Sequence, residues 1–565
     1  MTKIKRVTAR DIALAGSLEE LIKKLVDSVR DGNMEAKEKS AMQLRSLTEQ
    51  AKENAAAITE AGAIKPLVAL VVNGSPMAQA HSCVVLSNIA DGRPKYQEVI
   101  VDAGGVVPLT NVLRMGDSAL QEQAAAAIAS ISQLTLSRAP FVKAGAIPPL
   151  VSLLKGASAD THVHICQALA NLAHKSREGQ RGIARVGALP LLVNLLGSGK
   201  AQESAARAIA ELARDNETNQ AEVTQLGGIQ KLIALLTVMS MDAQAQAAAA
   251  LAAVASGEIK DIIAKAGGIR PLLVLLESRY PSAEQNAANA LALLALNHRA
   301  NQDSIANMGG IVPLVKLTER GHGHTADVQA QAVLAITEIS RQNKEIQTAV
   351  TSYDAISSLV DLLKTSNSPM VEAEVAGAFW ALSEDHDSNK VAIANAGAVP
   401  ALINQLASNM ERANTNAAHA LSSLGFGHAN NQVEIATLLV GLLEEASEAT
   451  QDRAAQSLWR MVHENPGSEL LIAKAGGPEP LVHLLSSNQR TARAYALWSL
   501  SLSIDRDNQK IVAETGGIEP LVNLLSMSEE TELNEQAACA IQRLATDKYD
   551  QLVPCHSTQP PRSHP

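Results

Sequence analysis

Apolar residues recur along most of the chain at i, i+3, i+4 and i+7, the spacing that gathers them on one face of a helix. In stretches such as EQAAAAIASIS from Glu122 and HICQALANLAH from His164, Ala and Leu hold those positions. Side chains this small allow two helices to approach closely. Each such stretch follows a shorter apolar one of the PLVALV kind, and a polar break separates the two. The pattern predicts helices throughout, packed mainly through Ala, Leu, Ile and Val.

The pattern repeats. AGAIKPLVALV begins at Ala61, AGGVVPLTNVL at Ala103, AGAIPPLVSLL at Ala144 and AGGIRPLLVLL at Ala266, with related phrases at Val186, Leu226, Met308, Ala396, Ala475 and Thr515. Their first glycines are Gly62, Gly104, Gly145, Gly187, Gly227, Gly267, Gly309, Gly397, Gly476 and Gly516. Three further copies place Glu20, Asp354 and Glu434 at the glycine's position, and the mean interval is about 41 residues.

Each unit reads as three helices. A short amphipathic stretch such as QDSIANM precedes the glycine, which can take positive φ and turn the chain sharply. The proline a few residues later falls in the first turn of the second helix, where its missing N–H costs little. The longer Ala/Leu stretch is the third helix. One triplet cannot bury its apolar faces alone, so the units must stack and share a continuous core. The reading is a short basic leader over 1–16, an all-α solenoid over 17–548 and a Pro-containing disordered tail over 549–565. The loop TERGHGHTAD and the shortened copy near Glu434 mark 318–327 and 425–434 as candidate hinges, where curvature is expected to change.

With its AG-[AG]-I-x-PLV-x-LL turn and third helices such as CVVLSNIADG from Cys83, the chain resembles armadillo-repeat proteins, and within them vacuolar-protein-8-like or plant and protist scaffolds. The resemblance implies an armadillo-repeat α-solenoid, a right-handed superhelix of 12 to 13 repeats whose third helices line a concave, protein-binding groove. In the family's nuclear-import adaptors, a Trp and an Asn four residues later recur in that helix and grip a basic peptide. Here Asn88 and Asn171 alone occupy the Asn position, and residues such as Met42, Val84, Ala126, Gln167, Arg207 and Ala249 occupy the Trp position. That is no ladder. Import adaptor and component of a cytoskeletal or ciliary assembly stay as alternatives to a general scaffold.

Helical spacing puts Gln246, Ala249, Ala253, Asn286, Asn289, Leu293 and Leu334 on the middle of the groove floor. Toward the C-terminus it gives His419, Arg453, Arg460, His463, Tyr495 and Arg543, a set suited to an acidic or phosphorylated segment through guanidinium pairing. Trp380, Trp459 and Trp498 all fall one residue before the Asn position, about 100° round the helix from the groove row. Packing between adjacent third helices is their expected role.

Composition narrows the function. Aromatic residues are 2% of the chain, and 48 Lys and Arg stand against 58 Asp and Glu, so neither a stacking platform nor a basic footprint for nucleic acid is present. Cys83, Cys166, Cys539 and Cys555 are too few for a disulfide framework, which favours a reducing, cytoplasmic setting, with nuclear or cytoskeletal association as variants. There is no apolar run of membrane-spanning length, and Thr2 stands where myristoylation needs glycine. His162, His164 and Cys166 lie close together but lack further zinc ligands at a fixed spacing. With no phosphate-binding loop, zinc-protease helix or nucleophile elbow, the expectation is a non-enzymatic protein without cofactor or metal.

Overall fold

The computed structural model describes residues 15–545, apart from 198, 320–322, 465–467, 502–505 and 526–530, together with Val7, Asp11 and Ile12. Among these residues every regular element is a helix. The chain divides into two compact units, Met1–Ala290 and Leu291–Pro565. Each is a run of stacked three-helix repeats.

The third helices are numbered α1 to α13 in chain order. The first unit carries α1 (Met34–Gln50), α2 (Pro76–Ala90), α3 (Ser118–Ile131), α4 (Ala159–Ala173), α5 (Gln202–Ala213), α6 (Met241–Val254) and most of α7 (Pro281–Ala295). The second carries α8 (Ala326–Ser340), α9 (Pro369–Ser383), α10 (Glu411–Gly425), α11 (Glu448–Glu464), α12 (Arg490–Ser501) and α13 (Thr531–Leu544). From α1 to α6, and again from α8 to α13, each packs against the next. Their buried residues are small: in α5 they include Ala205, Ala206, Ala208, Ile209, Ala210 and Leu212. Close approach of neighbouring helices follows from that choice.

The turn between first and second helices is built as the glycine phrase predicts. In the second repeat, Asn54–Glu60 and Ile64–Asn73 meet at 86°. The anchor glycine takes left-handed backbone at every copy that has it, for instance Gly267 at φ +82°. Its neighbour Gly268 answers a different need. A Cβ there would stand 2.8 Å from Ile263 Cγ2 and 3.0 Å from the Ile263 carbonyl oxygen. The first glycine supplies a conformation, and the second supplies space.

The three copies without an anchor glycine resolve in three ways. Asp354 keeps the turn, taking φ +59° itself, as Asp tolerates more readily than most residues. Glu20 is not the anchor: Gly16 holds the left-handed position at φ +97°. Ser17 then caps the helix Leu18–Asp31 by accepting from the Glu20 N–H. At Glu434 the turn is lost. First and second helices fuse into one helix, Ala429–Glu445, because Glu434 stands 37 residues after Gly397 where the other intervals run from 40 to 46 once Gly16 is the first anchor. The expected hinge at 425–434 is therefore left-handed Gly427 followed by a continuous helix. In the other, residues 320–322 lie outside the described residues.

The leader is not wholly separate from the solenoid. Val7 is buried; its N–H donates to Ser46 Oγ at 3.2 Å, and its carbonyl accepts from Gln50 Nε2 at 3.3 Å, both on α1. The rest of the basic leader through Arg10, and the whole of the expected tail, lie outside the described residues. Among the described residues no single helix is long and apolar enough to cross a membrane.

The glycine pair makes a test. Gly268→Ala is expected to lower stability by about 1–3 kcal/mol through overpacking, and Gly267→Val to lower it through the left-handed backbone, by about 1–2 kcal/mol. Gly267→Asn should recover most of the second loss. Urea denaturation followed by circular dichroism reads all three.

Candidate protein-binding face

The orientation of each third helix is fixed at its C-terminal end. The last carbonyls of a helix have no partner within it, and here side chains from first helices supply the donors. Asn219 Nδ2 donates to the Leu212 carbonyl seven residues back at 2.8 Å, and Asn301, Asn389 and Asn431 do the same to Leu294, Leu382 and Leu424. The next residue reaches forward to the following repeat. Gln220 Nε2 donates to the Ala253 carbonyl, Gln302 to those of Glu338 and Arg341, and Lys390 Nζ to that of Phe426. The recurring Asn-Gln pair in the first helices is the signal for these bonds, and a reading centred on the glycine turn passes over it. Left-handed residues follow the same helix ends, among them Lys175, Asp215, Asn297, Gln342 and Asp385, with φ between 51° and 54°.

Held this way, the third helices of the first unit expose one row. Val84, Ala126, Gln167, Arg207, Ala249 and Asn289 are exposed or half-buried, while the residues on either side of each are buried. Gln246, Ala253 and Asn286 are half-buried on the same face. Asn286 Nδ2 donates to the Ala245 carbonyl at 2.9 Å. The amides of Gln246 and Asn289 have no hydrogen-bond partner among the described residues.

The Asn position behaves otherwise. Asn88 is half-buried, and its Nδ2 donates to Thr48 Oγ1 at 2.9 Å. Asn171, expected to face the groove, is buried. Its Nδ2 donates to the Ala129 carbonyl at 2.9 Å, and its Oδ1 accepts from Arg207 Nη2 at 3.0 Å. These asparagines tie α1 to α2 and α3 to α4 to α5. Nearby, His174 Nδ1 meets Glu211 Oε2 at 2.8 Å.

In the second unit Leu334, His419, Gln456 and Arg460 are half-buried on the corresponding face, and Leu293 likewise on the last part of α7. The residue that caps α8 and the three third helices after it, α9 to α11, each give one group to a stack there. The Arg341 guanidinium lies 5.2 Å from the Trp380 ring centroid, Trp380 and His419 stack at 4.4 Å and 14°, and Arg460 Nη1 donates to His419 Nδ1 at 3.1 Å. Trp459 stacks on His463 of its own helix, and its ring centroid lies 5.8 Å from Tyr495 and 5.6 Å from Trp498 on α12. The tryptophans pack between adjacent third helices, as their helical position predicts.

Arg453 departs from expectation. Its Nη1 donates to the carbonyls of Leu406 at 2.7 Å and Ser408 at 3.0 Å, so its guanidinium closes the end of the second helix Ala398–Gln405 and the loop after it. Tyr495 is buried, its hydroxyl accepting from Gln456 Nε2 at 3.0 Å. His463 is exposed. Arg543 belongs to α13, but its side chain lies outside the described ones.

Two acidic groups nearby are held inside. Glu338 is buried and pairs with Arg341 at 3.3 Å; Glu374 is buried and pairs with Arg412 at 2.9 Å. Burial pushes the Glu374 carboxyl above the ordinary carboxylate range, Arg412 opposes that rise, and Glu338 adds to it. Elsewhere, His162 Nε2 sits 3.2 Å from the Leu154 carbonyl oxygen, and burial pushes the thiols of Cys83 and Cys166 up to about 12. Among the described residues no three His, Cys, Asp or Glu side chains converge as a metal site. His322 of the GHGH loop lies outside the described residues.

Three-helix repeats joined by a glycine turn, with a row of third-helix side chains left open, define an all-α solenoid of the armadillo type. The armadillo/β-catenin-like repeat model matches residues 51–91, 93–133, 138–174, 386–425 and 505–546. The crystal structure of an engineered protein is similar to this chain with 31% identity and a TM-score of 0.60, covering 72% of this chain and 99% of its own. Two further engineered proteins, 31% and 30% identical, cover 41% and 42% of this chain and 96% and 99% of their own, each with a TM-score of 0.39. No match is found among curated proteins. The chain belongs to the armadillo-repeat family.

Two predictions follow from the second unit. Arg453→Ala leaves two carbonyls without their donor and should cost about 1–3 kcal/mol, whereas Arg460→Ala should change stability by less than about 1 kcal/mol; thermal denaturation separates them. Glu374 has its folded-state pKa raised, so the folded protein holds more protons than the unfolded one between the two pKa values. Stability from this group is present at low pH and is lost as pH rises through and above the ordinary carboxylate range. From about pH 4 to about pH 7, the melting temperature of Glu374→Gln should therefore gain on that of the natural protein.

Proposed function

We propose that this protein is a non-enzymatic scaffold or adaptor that binds extended segments of partner proteins along its third-helix face. The observation that carries this reading is the open row of the first unit, where Gln246 and Asn289 stand half-buried among buried alanines without hydrogen-bond partners. An extended chain presents one N–H and one C=O per residue, and a side-chain amide offers both a donor and an acceptor to match them. Small neighbours such as Ala249 and Ala253 leave room for a backbone to lie against the helices.

In the second unit Arg460 donates to an imidazole instead of a carboxylate, so an acidic or phosphorylated side chain of the partner would complete it through a charge-assisted bond. Arg453 is engaged with backbone carbonyls and is not part of this reading. The import-adaptor alternative gains nothing from the tryptophans, because they pack against one another and against His419, His463 and Tyr495.

The test begins with partners captured by the full chain from its native cell and identified by mass spectrometry, after which binding is measured with the purified components. Gln246→Ala with Asn289→Ala should weaken binding about 10-fold or more, at about 1 kcal/mol per neutral hydrogen bond, with the melting temperature unchanged. Arg460→Ala should weaken only partners with an acidic or phosphorylated segment. Equal binding by the double variant and the natural protein would overturn the proposal.

A further inference from the structure

Near its start, a third helix closes the end of the second helix before it. Gln79, four residues after the cap Ser75, donates from Nε2 to the Val71 carbonyl at 3.0 Å. Gln121, four after the cap Asp117, donates likewise to the Leu113 carbonyl at 3.0 Å, and Gln451 to that of Leu443 at 2.9 Å. His162, four after Ser158, meets the Leu154 carbonyl at 3.2 Å. Each acceptor lies eight residues back. The first repeat departs from this rule. Lys37 holds the place, four residues after the cap Asn33, and among the described residues it makes no hydrogen bond or ion pair, whether to Val29 eight residues back or to any other group.

A cavity opens beside it. Its volume is about 390 Å³, and it lies between the second helices Leu18–Asp31 and Ile64–Asn73, next to the first turn of α1. Buried Val29 and Leu70 and exposed Met34 give it apolar walls. Arg30, Lys37 and Lys65 give it three cations, and no acidic residue lines it. Lys65 stands three residues after its anchor glycine, where other copies have Val107 and Gln230. Like Lys37, it has no partner among the described residues. Arg30 reaches over the repeat boundary: a Cβ at Gly62 would stand 3.9 Å from its Nη2. Its ion pair with Asp27, at 3.1 Å, is exposed on both sides and holds it weakly.

A cavity in the second unit makes the contrast. It measures about 490 Å³ and has Arg299 in its wall, but that guanidinium is spent. Its Nη2 donates to Glu345 Oε2 at 2.7 Å, its Nε to Asp303 Oδ2 at 3.4 Å and its Nη1 to the Gln342 carbonyl at 3.2 Å. Both carboxylates line the same cavity, so an anion entering it meets like charge. The cavity of the first unit has no such neutralisation within its walls.

We propose that the cavity at Lys37 binds a phosphate monoester carried on a ring-sized apolar body, as in a phosphorylated tyrosine side chain or a free aryl phosphate. Its volume falls within the roughly 300–1,000 Å³ of small-ligand sites. A phosphoryl group brings close to two negative charges and three acceptor oxygens, which one guanidinium and two ammonium groups match. A carboxylate would balance only one of the three. The ring rests against Val29, Leu70 and Met34, whose thioether favours aromatic neighbours. The inference does not rest on the third-helix reading, because the cavity shares no residue with the open row.

The test uses the purified full chain and saturation-transfer difference NMR, with phenyl phosphate as the probe and inorganic phosphate and phenol as comparisons. Phenyl phosphate should bind about tenfold or more tightly than either. Lys37→Gln should weaken it about tenfold, the loss of one charge-assisted hydrogen bond. The melting temperature of that variant should be no lower than the natural protein's, because glutamine can close the Val29 carbonyl as Gln79 closes that of Val71. Lys65→Gln should weaken binding similarly, whereas Gln246→Ala with Asn289→Ala should leave it unchanged. N-acetyl-phosphotyrosine amide then separates the sources: binding as tight as that of phenyl phosphate assigns the cavity to a phosphorylated side chain of a partner, and weaker binding assigns it to a free aryl phosphate. Absence of phenyl phosphate binding, equal binding of phenol or of inorganic phosphate, or full binding by both lysine variants would each overturn the proposal.

Discussion

The carbonyls that end each third helix are the constraint on which the repeats depend. A helix of 12 to 17 residues, as α1 to α13 are, closes its own hydrogen bonds except at its ends, and a buried acceptor without a donor costs about 1–3 kcal/mol. Stacked repeats place those ends against one another, where donors must come from protein. Asn389 satisfies the Leu382 carbonyl of its own repeat boundary, and Lys390 crosses to Phe426 of the next. The same two adjacent positions thus close one helix and pin its neighbour. Stability becomes a sum of nearest-neighbour terms.

What this leaves for function follows by subtraction. With the helix ends satisfied from the first helices and the flanks occupied by alanine packing, the open row keeps side chains still unspent, Gln246 and Asn289 among them. The two units fill that row differently. In the first it holds amides and alanines, among them Gln246, Ala249 and Asn289. In the second it is partly consumed by the stack from Arg341 through Trp380 and His419 to Arg460. The row thus presents free amide groups in one unit and a preformed aromatic and cationic surface in the other.

The fold was legible because the glycine turn is a short-range device: a residue with positive φ, another with no Cβ, and a proline in the next helix sit within a few residues of one another. The site was less so. Helical spacing located the open row at Ala126, Gln167 and Ala249, yet it could not say that Asn171 on the neighbouring row would be drawn inward to the Ala129 carbonyl, since that bond joins residues 42 apart. Arg453 escaped for the same reason, its acceptors lying at Leu406 and Ser408. The misplacement of the first anchor at Glu20 had a local cause: LEELIKKLV matches the second-helix pattern in more than one register, and only Gly16 and its cap Ser17 fix which one is used.

The fused helix at Glu434 separates what the repeat needs from what it merely uses. There the glycine turn is gone and Ala429–Glu445 runs straight through. Asn431 nevertheless donates to the Leu424 carbonyl at 2.9 Å and to that of Lys390 at 3.3 Å. Further along the same helix, the Val440 side chain still faces Gly477 of the next repeat, as Ile233 faces Gly268 in the first unit. Both interfaces survive because they lie on opposite sides of the missing turn, one in its first-helix half and one in its second-helix half. The turn sets the angle between two helices, whereas the carbonyl donors and the glycine–valine contact hold one repeat to the next. A repeat can lose the first and remain in the stack, which is why the interval could shrink to 37 residues here without ending the solenoid.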